Sequence, residues 1–204
     1  MEVAWSALSL SLQVAGWATL LNLLLGIGVG YLLARTRFPG RDLLDTLLTL
    51  PMVMPPTVLG YYLLVLLGRN GWIGKWLQDS FGINLIFTLK GAVIAATLVA
   101  FPLVFKPARA AFEAVDSQLE EAGRVLGISE IGIFWRITLP MAWRGILAGV
   151  LLAFARALGE FGATLMVAGS IPGKTQTLSI AVYEAVQAGQ DAVANTLVLI
   201  TSLV

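Results

Sequence analysis

Cysteine and histidine are both absent from this 204-residue chain, and charged residues make up only 12% of it. The absence of cysteine excludes thiol redox chemistry, and the absence of both residues excludes the usual kind of zinc site. The commonest general base of enzymes is missing as well. A soluble domain carries about 25% charged residues. The scarcity of charge here therefore indicates a membrane protein.

Apolar residues are abundant instead, at 58% of the chain with a mean hydropathy of +0.86. A membrane span needs about 20 mostly apolar residues, and the chain offers five candidates, near 6–34, 43–67, 89–105, 140–164 and 192–204. The first has no basic residue before its apolar run, so we interpret it as a retained span and not as a signal peptide. The last covers about 20 Å, less than a hydrocarbon core of about 30 Å, so we expect its helix to continue beyond Val204.

These segments predict an all-α, multi-pass membrane protein in which residues 1–204 form a single transmembrane domain. Lysine and arginine are enriched on the cytoplasmic side of membrane proteins. One side of the predicted topology holds eight basic residues: Arg35, Arg37, Arg41, Lys106, Arg109, Arg124, Arg136 and Arg144. The other side holds four: Arg69, Lys75, Lys90 and Lys174. This asymmetry predicts that the N-terminus lies outside the cell.

The most basic connection, residues 106–139, carries a helical pattern. Apolar residues recur there at spacings of three and four, at Phe112, Val115, Leu119, Ala122 and Leu126. We expect this helix to begin near Pro107 and to end at Gly127. Ser129 is placed to cap a second short helix that ends at or before Pro140.

Residues 121–140 read EAGRVLGISEIGIFWRITLP. This segment resembles the cytoplasmic signature of the permeases of ATP-binding-cassette importers: Glu-Ala-Ala, three residues, Gly, nine residues, Ile, one residue, Leu-Pro. The matching residues are Glu121, Ala122, Gly127, Ile137, Leu139 and Pro140, whereas Gly123 replaces the second alanine. In that family the segment couples the membrane domain to a cytoplasmic ATPase.

The resemblance implies that the small residues Ala122 and Gly123 form a face for the ATPase and that Glu121 pairs with one of its basic residues. The alternative is an ordinary amphipathic loop on the membrane surface, which the full motif spacing disfavours. Three further segments are similar to those of molybdate, tungstate and sulfate permeases: FARALGEFGAT (154–164), LPMVMPPTVLGYYLL (50–64) and IPGKTQTLSIAVY (171–183). The last two resemble molybdate permeases more than sulfate permeases.

The family also implies the fold of a type I importer permease, working by alternating access in the cytoplasmic membrane of a prokaryote. Its implied partners are a second copy of the chain, two ATPase subunits that bind ATP and magnesium, an external oxyanion-binding protein and the membrane lipids. The chain itself has no Gly-Lys-Ser/Thr phosphate loop, no catalytic or metal-binding set and no sign of nucleic-acid binding, and we expect no cofactor in it. The rival from another class is a channel or secondary transporter that needs no ATPase.

Several residues within the predicted spans are candidates for the pathway or its gate. Pro51, Pro55 and Pro56 either free backbone groups to line a path or simply kink a helix. Arg156 and Glu160 stand four residues apart on one helix face, as a mutual pair or as a gate that attracts the anion. Thr164 follows them and completes the set.

The predicted topology can be tested directly, because the chain has no native cysteine. We expect single cysteines introduced as Ser129→Cys and Ser170→Cys to react with a membrane-impermeant maleimide from opposite sides of the membrane. Labelling of position 129 from outside intact cells would refute the orientation.

Overall fold

The computed structural model describes residues 2–203, and all the regular secondary structure in that range is helical. The elements, in chain order, are α1 (Glu2–Arg35), α2 (Arg41–Val53), α3 (Pro56–Leu67), α4 (Trp72–Phe81), α5 (Leu89–Glu113), α6 (Ser117–Val125), α7 (Glu130–Ile133), a π turn (Phe134–Thr138), α8 (Leu139–Leu158), α9 (Gly162–Ala168), α10 (Leu178–Gln187) and α11 (Asp191–Leu203). The predicted all-α class is therefore confirmed.

Three helical stretches are individually long and apolar enough to cross a membrane: Ala4–Arg35, Leu89–Glu113 and Glu130–Leu158. A fourth candidate is a bent pair, α2 with α3, and α11 is a shorter apolar helix. The last residue of the fifth predicted span, Val204, lies outside the described range. Against the five predicted spans, the described residues thus supply three spans by length and composition, or four if the bent pair counts as one, and the short helix α11 lies where the fifth was predicted.

The second predicted span, 43–67, which the sequence interrupts with prolines, is two helices, α2 and α3, that meet at 110°. The proline pair causes the bend. A residue that precedes proline is pushed into extended backbone, and both Met54 (ψ 142°) and Pro55 (ψ 131°) are extended. Pro51 lies inside α2 and does not break it.

The third span is longer than predicted, since α5 continues through Pro102 and Pro107 to Glu113. Pro107 therefore does not begin the amphipathic helix. Its missing N–H leaves the carbonyl of Leu103 without its usual helical donor. Gly149 of α8 packs there: a Cβ added to Gly149 would lie 2.7 Å from that carbonyl oxygen. Packing of α5 against its neighbours holds the helix together across both prolines.

The helices α1, α5 and α8 form the centre of the bundle, and small residues allow their backbones to approach closely. Seven alanines are buried where these helices meet: Ala15, Ala18, Ala92, Ala96, Ala100, Ala153 and Ala157. Further along α1, a Cβ added to Gly26 would lie 2.8 Å from Val104 Cγ1, and one added to Gly30 would lie 3.1 Å from the backbone nitrogen of Arg109. The Gly26–Gly30 pair is thus a helix-packing feature.

Of the further clusters beside this centre, two involve the shorter helices. In one, α3 packs on α9, where a Cβ at Gly60 would lie 2.9 Å from Ala163 Cα. In the other, α10 packs against α1 and α11 around Leu178, Ala181 and Leu197. The backbone N–H of Leu178 also donates a 2.7 Å hydrogen bond to the hydroxyl of Ser11 on α1.

Gly28 provides a matched control for the contact at Gly30, because a Cβ at Gly28 would meet no atom within 4 Å in the described part of the chain. Both replacements by leucine gain helix propensity to the same extent, but only Gly30→Leu must push α5 away. We expect Gly30→Leu to lower the free energy of unfolding by about 1–3 kcal/mol relative to Gly28→Leu, measured by thermal unfolding in detergent. Equal stability of the two variants would contradict this packing.

Candidate functional site

The segment between α5 and α8 is a compact turn of two helices. Asp116 begins α6, its Oδ1 accepting a 2.9 Å hydrogen bond from the backbone N–H of Gln118. The single amphipathic helix predicted from Pro107 is therefore wrong: Phe112 belongs to α5, and α6 starts only at Ser117. The chain changes direction at Ala114–Asp116 because the Asp116 cap supplies the hydrogen bond that a continuous helix would have made.

The helix α6 ends at Gly127 as predicted. Gly127 has a φ of +76°, in the left-handed region that favours glycine. The backbone N–H of Ile128 then donates a 3.0 Å bond to the carbonyl of Gly123, closing the helix in a Schellman arrangement. Ser129 caps the next helix as predicted, since its hydroxyl accepts a 3.2 Å bond from the N–H of Gly132.

The second helix does not stop at Pro140, and that expectation is wrong. It passes through the π turn into α8, with the N–H of Leu139 bonded to the carbonyl of Phe134. A proline ring clashes with the carbonyl four residues before it and cannot bond to it. The wider π turn accommodates Pro140 without breaking the helix. The segment from Glu130 onward is therefore helically continuous with α8.

The motif residues face two ways. Glu121 and Ala122 are exposed, and Pro140 is exposed as well, whereas Gly123 is buried and Ile137 and Leu139 are partly buried. A Cβ at Gly123 would lie 3.0 Å from Ile137 Cδ1. The predicted small-residue face is thus wrong for Gly123, which is small so that Ile137 can pack against it. Ala122 is the small residue on the outer surface.

Glu120 is a member of this site that we did not predict from the sequence. It is 5% exposed, and its Oε1 accepts hydrogen bonds from Arg35 Nη2 and from the hydroxyl of Thr138, the latter at 2.6 Å. Two adjacent glutamates on an amphipathic helix point about 100° apart. That geometry was the available signal, because it allows one glutamate to face the bundle while its neighbour faces water.

Further ion pairs lie beside this cluster. Glu113 Oε1 accepts from Arg41 Nη2 at 2.5 Å and from Arg109 Nε at 2.9 Å. Asp45 pairs with both Lys106 and Arg109 and thereby ties α2 to α5. Between α6 and α7, Glu130 accepts two bonds from the guanidinium of Arg124, at 2.6 and 3.1 Å. These bonds raise the pKa of Arg124 above its usual value.

The Arg156–Glu160 pair lies at a break in the fourth predicted span. That span was expected to reach residue 164, but α8 ends at Leu158 and a new helix, α9, begins at Gly162. Arg156 Nη1 lies 2.6 Å from Glu160 Oε2. Glu160 is buried, and its Oε1 accepts a 2.8 Å bond from the N–H of Ala163. The carboxylate therefore both pairs with Arg156 and starts α9.

The remaining pathway candidates are brought together only in part. A Cβ at Gly162 would lie 3.0 Å from Pro56 Cβ, so the start of α3 touches the start of α9. Thr164 is buried in α9, and its hydroxyl has no hydrogen-bond partner within residues 2–203. Pro55 lies at the bend before α3, while Pro51 remains inside α2. Within residues 2–203, no group of His, Cys, Asp and Glu could hold a metal ion.

Comparison with known proteins decides the family. Residues 26–204 match the family described as "Binding-protein-dependent transport system inner membrane component". The chain belongs to this family. Its apolar helices and its relatives make it a multi-pass protein of the inner membrane.

Among curated relatives, the chain is 49% identical over 183 residues to the molybdenum transport system permease protein ModB of Escherichia coli (strain K12), covering 90% of this chain and 80% of the relative. It is 44% identical over 179 residues to the sulfate transport system permease protein CysW of Synechocystis sp., covering 88% and 64%. Among solved structures, a bacterial transporter that imports the acidic polysaccharide alginate matches with a TM-score of 0.82 at 15% identity, covering 100% of this chain and 75% of that one. The predicted permease fold is confirmed.

Arg156 is the partner that balances the buried charge of Glu160. Removing one partner of a fully buried pair costs about 3–5 kcal/mol, and we expect less here because the Arg156 side chain is 35% exposed. Arg156→Gln should therefore destabilise the protein, and the double variant Arg156→Gln/Glu160→Gln should regain most of the loss, since glutamine can still accept the Ala163 bond. Thermal unfolding in detergent measures both. A single variant as stable as the parent would argue against this balance.

Proposed function

We propose that this chain is the permease subunit of an ATP-driven importer that carries molybdate, and also tungstate, across the cytoplasmic membrane. The observation that supports the substrate most strongly is the 49% identity to the E. coli molybdenum permease over 90% of this chain. The molybdenum transport system permease protein of Haemophilus influenzae is 48% identical to this chain. A putative molybdenum transport system permease protein of Bacillus subtilis is 43% identical.

The segment from Glu121 to Gly127 is the proposed contact with the ATPase. It presents an exposed carboxylate and an exposed alanine on a short helix, and the helical stretch that follows continues directly into α8. A protein docked on that surface would act on a membrane-spanning helix through a rigid connection. Glu121 would pair with a basic residue of the ATPase, a contact that contributes little when exposed and more when partly buried.

The assembly we propose has two copies of this chain, two ATPase subunits that bind ATP and magnesium, and an external oxyanion-binding protein. ATP hydrolysis belongs to the partner subunit. The end of the bundle that carries Arg35, Arg41, Arg109 and Arg124 faces the cytoplasm, which places the N-terminus outside. The basic residues of this end follow the usual positive-inside distribution.

We propose that the pathway passes the proline bend and the start of α9, where Pro56 contacts Gly162. Thr164, two residues further along α9, is buried. Ion transit needs weak and transient contacts, which backbone groups at helix ends can supply. Arg156 has a second candidate role as an attractor of the dianion. If it has that role, Arg156→Gln/Glu160→Gln should assemble and yet fail to transport.

Sulfate import is the second candidate, because the Synechocystis sulfate permease is 44% identical to this chain. The two oxyanions are both tetrahedral dianions, so the membrane path alone need not distinguish them strongly. The external binding protein is the place where we expect selectivity to be set.

Uptake by the reconstituted complex tests the proposal. The permease, its ATPase and its binding protein are placed in lipid vesicles, and molybdate, tungstate and sulfate are supplied separately with ATP. We expect molybdate and tungstate to enter far faster than sulfate. In Glu121→Ala, ATP hydrolysis and uptake should fall together, since loss of a partly buried ion pair weakens docking.

Three outcomes would count against this function. Sulfate uptake at a comparable rate favours the sulfate importer. Uptake by the permease without its ATPase favours a channel or secondary transporter. A Glu121→Ala complex that assembles and transports like the parent removes Glu121 from the coupling contact.

A further inference from the structure

One carboxylate oxygen joins three helical segments at the end of the bundle. Oε1 of Glu120, on α6, accepts hydrogen bonds from Arg35 and Thr138. Arg35 is the last residue of α1, and Thr138 is the last residue of the π turn that leads into α8. Glu120 is 5% exposed and Thr138 is fully buried. This oxygen is therefore a direct link from α6 to both helices.

Packing alone does not explain a charge at this position. A buried carboxylate is unfavourable unless it is paired and hydrogen-bonded, and apolar residues of the same volume often stabilise a core as well or better. The pair is also incompletely satisfied, since Arg35 Nε is buried and has no hydrogen-bond partner among the described residues, 2–203. Hydrogen bonds to a charged group fix the relative orientation of the elements that they join, whereas apolar contacts do not.

The neighbouring glutamate has the opposite surroundings. Glu121 is exposed on α6, whereas Glu120 faces the bundle. The same short helix thus offers one carboxylate to a docking protein and uses the adjacent one to hold two membrane helices. Glu121 is adjacent in sequence to Glu120, which bonds to the end of α1 and to the π turn that leads into α8. A displacement of Glu121 would therefore be transmitted to both helices through one neighbouring residue.

We propose that Glu120 is a positioning residue for coupling: through Arg35 and Thr138 it makes α6 move as one body with the ends of α1 and α8. Movement of the ATPase is thereby converted into movement of the spans. This inference rests on the proposed function, because it assumes that an ATPase acts on α6.

The test uses the complete complex of permease, ATPase and binding protein in vesicles, and its readout is the number of molybdate ions transported per ATP hydrolysed. Glu120→Gln keeps the side-chain volume and removes the charge. We expect its complex to assemble and hydrolyse ATP as the parent does. The transport ratio should fall by about five- to tenfold, because a charge-assisted link is replaced by a weaker neutral one.

Glu113→Gln is the matched control. Glu113 Oε1 also accepts from two donors at the same end of the bundle, Arg41 and Arg109, but it lies on α5 and does not hold α6. We expect this variant to keep the parental transport ratio. Equal ratios in the parent, Glu113→Gln and Glu120→Gln would overturn the proposal, and so would an equal fall in both variants.

Thr138 provides a second test that keeps the charge pair. Thr138→Val has nearly the same shape and removes one donor to Glu120, whereas Thr138→Ser retains the hydroxyl. A lower ratio in Thr138→Val with a parental ratio in Thr138→Ser supports the proposal. If Glu120→Gln and Thr138→Val both prevent assembly, the cluster serves folding and the proposal is overturned.

The parent complex separates this inference from the function on which it rests. Parental uptake with an unchanged ratio in Glu120→Gln overturns the role of Glu120 alone. If the parent shows no ATP-driven uptake of any oxyanion, both proposals fail.

Discussion

The close approach of α5 to α1 and α8 is the contact on which the rest of the molecule depends. Glycine and alanine line these interfaces, and at Gly26, Gly30 and Gly149 the neighbouring helix occupies the space where a Cβ would be. In lipid there is no hydrophobic driving force between helices, so their association relies on such packing and on interhelical hydrogen bonds. The same contacts keep α5 one continuous helix through two prolines that would weaken an isolated helix.

A second layer of organisation is electrostatic and is concentrated at one end of the bundle. Asp45 and Glu113 join α2 to α5, and Glu120 joins α6 to α1 and to the π turn. The short helices at this end bury few residues of their own: α2 has no buried residue, and α6 buries only Glu120 and Gly123. Charged hydrogen bonds fix their direction where packing does not. The element that carries the family motif is therefore attached to the membrane helices by specific, directional bonds.

Proline acts in three different ways in this chain, and each outcome follows from its neighbours. At Pro55 and Pro56 two consecutive prolines force extended backbone and a sharp bend. At Pro107 the helix survives because α8 packs tightly beside it. At Pro140 the helix survives because it widens into a π turn. The absent N–H and the bulky ring are the same at every position, so the surrounding structure decides between a bend, an unbroken helix and a widened turn.

The sequence alone determined the helical class, the membrane setting and the family, because these follow from composition, from long apolar runs and from a motif of fixed spacing. It also located the caps at Gly127 and Ser129, since a left-handed turn and a helix N-terminus each favour particular residue types. The break between α5 and α6, the passage of the helix through Pro140 and the inward side of Gly123 were decided only by the tertiary structure. Those features depend on which surfaces face one another, and Glu120 was missed for the same reason. Its partners Arg35 and Thr138 lie 85 and 18 residues away in the chain and meet it only when α1 and α8 pack together.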